Sequence, residues 1–103
     1  MIDVRSQADA LEEASIHVGG EVDLNTSPKL REALKSAAAQ KMKTVTVHLR
    51  EVTYMDSSGI ATLVEMLQAM LAYQGRLVLK GMRPQVRAVF EIAHLTEVFD
   101  IVE

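Results

Sequence analysis

The chain has 103 residues, enough for one hydrophobic core and too few for two, so it is read as a single domain over 1–103. Its net charge of −3 and its 4% aromatic content argue against direct nucleic-acid binding, which needs basic patches and stacking rings. Cysteine is absent, which excludes disulfides and thiolate metal sites; no apolar run reaches the length of a membrane span, and the opening Met-Ile-Asp-Val lacks the order of a secretory signal, so a cytoplasmic protein is expected.

Two short extended segments come first, about Ile2 to Arg5 and Ala14 to Gly19, joined by the polar run Ser6 to Glu13, which reads as a hairpin connection or a short excursion. In the second, Ile16 and Val18 alternate with Ser15 and His17, placing His17 on the solvated side. A glycine-to-proline connection from Gly19 to Pro28 follows. It leads into a helix with Thr26 or Ser27 as N-cap, Pro28 just inside, and Leu30, Leu34, Ala37 and Ala38 on one face, ending near Gln40. Lys41 and Lys43 are placed to complement the C-terminal end of its dipole.

Thr44 to Leu49 is a β-branched strand with Val45, Val47 and Leu49 on one side and Thr44, Thr46 and His48 on the other. A second helix, starting at Ser57 or Ser58 and reaching about Tyr73, is marked by Ile60, Leu63, Val64, Leu67, Met70 and Leu71, and Gly75 is expected to stop it. Arg76 to Lys80 reads as a buried strand. Gly81-Met82-Arg83-Pro84 opens a third helix with Val86, Val89, Phe90 and Ala93 apolar, and Val98 to Val102 closes the chain as a strand. The alternation predicts an α/β fold: a mixed, mostly parallel sheet of about five strands packed with three to four helices, the first strand an antiparallel edge.

Function is expected where strand-to-helix loops gather, at the carboxyl ends of parallel strands, which would bring Asp23, Ser57 and Arg83 to one edge. The most telling of these loops is Met55-Asp56-Ser57-Ser58-Gly59. It sets hydroxyls at a helix start, where Asp56 or Ser57 caps free N–H groups and the dipole favours negative charge. A phosphate added there would be tolerated locally, so its effect would fall on a partner. Enzymatic readings fare poorly. The G-x-S-x-G pattern of a hydrolase elbow has Met55 where its first glycine belongs, neither His48 nor His94 is placed to reach Ser57, and no phosphate-binding glycine motif is present. The three histidines stand apart, none in the helical i, i+4 pairing of a zinc site, so no metal, no cofactor and no catalytic residue is expected.

The strand Thr44–Leu49, the turn Met55-Asp56-Ser57-Ser58-Gly59-Ile60 and the earlier Gly20-Glu21-Val22-Asp23 resemble the STAS domain, typified by bacterial anti-sigma-factor antagonists, in the right order along essentially the whole chain. The resemblance implies partner switching in transcription regulation. The unphosphorylated antagonist binds an anti-sigma factor that is also a serine kinase, releasing a sigma factor; phosphorylation of Ser57 breaks that complex, and a separate phosphatase restores it. It further implies that Asp23, with Asn25 and Thr26 in the same loop, and Asp56, Ser57, Ser58 and Gly59 form the partner-binding surface. Other proteins of this kind are subunits of lipid-transport ABC complexes or parts of signalling scaffolds, which the resemblance also implies as alternatives; Tyr73, Met66 and Met70, if exposed, would supply a scaffold surface. Weak self-association is left open.

Overall fold

A computed structural model of the chain describes residues 1–10 and 12–103. Its elements follow as β1 (Ile2–Ala10), β2 (Glu13–Val22), α1 (Ser27–Ala39), β3 (Thr44–Met55), α2 (Ser57–Leu71), β4 (Arg76–Lys80), α3 (Pro84–Ile92) and β5 (Asp100–Val102). The strands lie side by side in chain order, β1 antiparallel to β2 and every other pair parallel. This is the expected α/β fold, with the first strand as the antiparallel edge.

Each β-α-β crossover steps to the next strand in the same direction, so right-handed connections put the helices on one face of the sheet. The side chains agree. Ile16 and Val18 of β2, Val45, Val47 and Leu49 of β3, and Leu77 and Leu79 of β4 join Leu30 and Leu34 of α1, Leu63, Met66 and Met70 of α2, and Val86 and Phe90 of α3 in one buried core. Phe90 meets Phe99 edge to face at 5.6 Å between centroids. The helix-free face carries the alternate residues of the strands, and there His17 and His48, directly paired in register, stack at 4.1 Å with ring planes 6° apart. The expectation of histidines standing apart is corrected here: strand register, invisible in sequence spacing, brings two of them together.

Several element ends differ from expectation for local reasons. The polar run after Arg5 extends the hairpin instead of leaving it, with β1 pairing β2 from Ile2 to Ala10; residue 11, within that run, lies outside the described residues. Lys41 and Lys43 fall beyond α1. Lys43 pairs with Glu12 at 3.4 Å, and Lys41 lies 5.5 Å above the Tyr73 ring. α2 ends at Leu71, and the left-handed turn after it is taken by Gln74 (φ 66°), not by Gly75. A Cβ on Gly75 would lie 2.8 Å from the Tyr73 ring and 2.9 Å from Met70 Cε, so that glycine is selected for space.

The largest departure is β3, which runs to Met55. Its register against β2 shifts twice, between His17 and Gly19 and between Gly20 and Glu21. These irregularities break the two-residue period, so Arg50 and Glu51 are both exposed and the buried positions move on to Val52 and then Met55. The consequence is that β2 and β3 project together past β4, whose last residue, Lys80, lies opposite His48 of β3.

Candidate functional site

At the tip of this projection Val22 pairs with Met55, and the Asp56 N–H donates to the Val22 carbonyl at 3.1 Å. That bond stitches the end of β2 to the start of α2. Asp56 is extended (φ −110°, ψ −170°) and is the N-cap: its Oδ1 accepts from the Ser58 N–H at 2.9 Å and from the Ser58 hydroxyl at 2.5 Å. Its carbonyl accepts the N–H groups of Gly59 (3.1 Å) and Ile60 (3.3 Å). The free donors of the first turn are thus met locally. The Ser58 hydroxyl bond above all, with the N–H groups of Ser58 and Gly59, holds the Asp56 carboxyl below its ordinary pKa, against a smaller upward pull from burial.

The two serines are treated differently by this geometry. Ser58 is partly buried, its hydroxyl engaged by Asp56 and its carbonyl accepting from Thr62 Oγ1 at 2.8 Å. Ser57, the first helical residue, is exposed, and no hydrogen bond to its hydroxyl is present among the described residues. Gly59 is buried. A Cβ there would lie 2.7 Å from Met55 Cγ and 2.8 Å from Val22 Cγ1. Its hydrogen is what lets the helix start seat directly on the strand ends.

The loop after β2 is tied just as closely. Asp23 Oδ1 accepts from the N–H groups of Asn25 (2.9 Å) and Thr26 (3.0 Å), an Asx turn. The Asp23 carbonyl takes the N–H of Ser27 at 2.8 Å. Thr26 is the N-cap of α1 by position but makes no side-chain cap bond; its hydroxyl turns back to Glu21 O at 2.7 Å and accepts from the Asp23 N–H at 2.9 Å.

The structure therefore gathers Asp23, Asn25, Thr26, Asp56, Ser57, Ser58 and Gly59 at one end of the β2–β3 projection. Arg83 does not join them. Its Nε donates to the Arg50 carbonyl at 2.7 Å, about 20 Å short of Asp56 at the usual rise along a strand, because β4 ends early. Residues singled out for a scaffold surface are also unavailable for one: Met66 and Met70 are core, and Tyr73 is partly buried, donating to Met42 O at 2.8 Å, with burial pushing its phenol pKa up.

A family model described as "Mlab, STAS domain" matches residues 6–103. The chain belongs to the STAS domain family. An anti-sigma-B factor antagonist of Listeria monocytogenes is 35% identical over 86 residues, covering 84% of this chain and 75% of that protein. An anti-sigma factor antagonist from Mycobacterium paratuberculosis shares the fold at TM-score 0.88 and 20% identity, over 99% of this chain and 86% of that one. So does SpoIIAA, an anti-sigma factor antagonist solved unphosphorylated (TM-score 0.78, 22% identity, 98% and 87% covered) and, as a Bacillus cell fate determinant, in its phosphorylated form (TM-score 0.77, 22% identity, 98% and 92% covered).

One exposed residue at this end of the projection is not singled out by the sequence alone. Leu24, between Asp23 and Asn25, is 76% exposed. Its signal was a large aliphatic side chain inside an otherwise polar turn.

Proposed function

We propose that this STAS domain is an anti-sigma-factor antagonist: it binds an anti-sigma factor that is a serine kinase, frees a sigma factor, and is switched off by phosphorylation of Ser57. The observation carrying this reading is the free, exposed Ser57 hydroxyl beside a Ser58 hydroxyl already committed to the Asp56 cap. In the modifying step the Ser57 oxygen takes the γ-phosphoryl group of ATP, loses its proton, and ADP leaves. The relatedness to an anti-sigma-B factor antagonist supports the partner class.

The physics of release follows from the placement. A phosphate on the first residue of α2 meets a favourable helix dipole, so the domain itself stays folded. Inside a docked interface, however, the new dianion lies beside the ionised Asp56 and faces repulsion and uncompensated desolvation. A loss of about 1.4 kcal/mol lowers affinity tenfold, so a penalty of a few kcal/mol suffices to release the partner. A separate phosphatase would then restore binding.

The test is incubation with the anti-sigma-factor kinase of the same genome and ATP, with mass spectrometry of the product. Incorporation at Ser57 is expected, and a Ser57→Asp variant should bind the kinase at least tenfold more weakly while Ser57→Ala binds like wild type. Incorporation at other residues only, or equal binding by all three proteins, would overturn the reading.

A further inference from the structure

The surface around Ser57 is almost wholly polar. Asp23, Asn25, Asp56, Ser57 and Ser58 offer hydrogen bonds that water offers equally well to the free protein, and interfaces draw most of their affinity from a few well-packed side chains that leave water. Leu24 stands apart from these polar groups. It is 76% exposed, and the Asp56 N–H bond to Val22 O holds its loop beside the helix start that bears Ser57.

Leu24 is also held still. Asp23 Oδ1 bonds the N–H groups on the far side of Leu24, and the Asp23 carbonyl bonds Ser27. The Thr26 hydroxyl has one proton, which goes to the nearer acceptor, Glu21 O at 2.7 Å rather than Asp23 Oδ1 at 3.1 Å, locking the base of the loop to β2. A side chain presented on a braced turn loses little further freedom on docking, which is what preorganisation contributes to affinity. Tyr54, a large apolar residue on β3 near the site, makes no side-chain hydrogen bond among the described residues and is less exposed, at 49%.

We propose that Leu24 is the apolar anchor by which the domain docks on its anti-sigma factor, which presents an apolar seat beside the pocket receiving Ser57, and that Asp23 is a positioning residue. Asp23 acts by holding Leu24 outward through its Oδ1. This rests on the function proposed above and names the chemistry of the surface that the partner must carry.

The experiment is titration calorimetry of the full chain against the purified anti-sigma-factor kinase of the same genome, with five variants beside wild type. Leu24→Ala should bind at least tenfold more weakly with an unchanged urea midpoint. Asp23→Ala, which loses the brace, should bind at least tenfold more weakly than wild type, and Asp23→Asn, which keeps the Oδ1 acceptor, should bind more tightly than Asp23→Ala. Ile92→Ala, an equally exposed site (80%) at the C-terminal end of α3, should bind like wild type. Wild-type affinity in Leu24→Ala, or Asp23→Asn as weak as Asp23→Ala, overturns the inference. In the same titrations Ser57→Asp reports on the underlying function independently: if it binds like wild type the switch itself is lost, whatever Leu24 does.

Discussion

Asp56 closes the backbone at the start of α2 and, by taking the Ser58 hydroxyl, leaves Ser57 as the accessible serine of the pair. Removing the cap has a measurable cost: Asp56→Ala should lower stability by about 1 kcal/mol in urea unfolding. Its pH signature has a definite sign. The folded carboxyl titrates below the unfolded one, so the ionised cap stabilises the fold above about pH 4 and that contribution disappears as pH falls through the lower, folded value. Asp56→Asn retains an acceptor but not this dependence. The stability difference between wild type and Asp56→Asn should therefore shrink between pH 5 and pH 2, and a difference constant over that range would contradict the assignment.

At the scale of elements, the junction of α2 with the ends of β2 and β3 depends on Gly59. Alanine is the better helix former by up to about 1 kcal/mol, yet Gly59→Ala drives a methyl group toward Val22 and Met55, and overpacking of this kind costs about 1–3 kcal/mol. Net destabilisation in chemical unfolding is expected; a stabilised variant would show that the helix start has slack. The turn after α2 predicts the opposite sign. Gln74 sits at φ 66°, where a side chain is strained, so Gln74→Gly should raise stability by up to about 1 kcal/mol. These two elements also show what is legible in a sequence. The Asp-Ser-Ser-Gly helix start is written in local chemistry, so its hydroxyls and cap could be found from residues 55–60 alone. The extension of β3 could not, because two bulges destroy the alternation that reveals a strand, and the charged Arg50-Glu51 pair reads as a loop. Glycine is the usual helix stop, yet the left-handed position after α2 belongs to Gln74, and Gly75 lies close against Tyr73 and Met70. In an even sheet all strand-to-helix loops share an edge, which groups Arg83 with the site; unequal strand lengths put it elsewhere. The exposure of Leu24 is not legible in the sequence because it depends on how the turn is braced.

The whole molecule is a one-sided sheet, its core confined between the strands and three helices, with a strand pair projecting from it to carry the candidate switch. Phe90 is completely buried in that core and meets Phe99 edge to face, so Phe90→Ala should cost about 3–5 kcal/mol, a large part of the stability of a domain of this size. The same substitution leaves the Asp23 and Asp56 loops untouched, so any fraction that remains folded should retain its affinity for the partner; a folded but non-binding Phe90→Ala protein would mean that the site is coupled to the far side of the core. Separation of this kind suits a switch whose modification alters a surface and not a fold. The measurement that bears most directly on this account is the affinity of the domain for its anti-sigma-factor kinase before and after stoichiometric phosphorylation of Ser57, with amide exchange recorded on both forms. The account predicts at least a tenfold loss of affinity with exchange in the core strands and helices unchanged; undiminished binding, or loss of binding only through unfolding of α2, would contradict it.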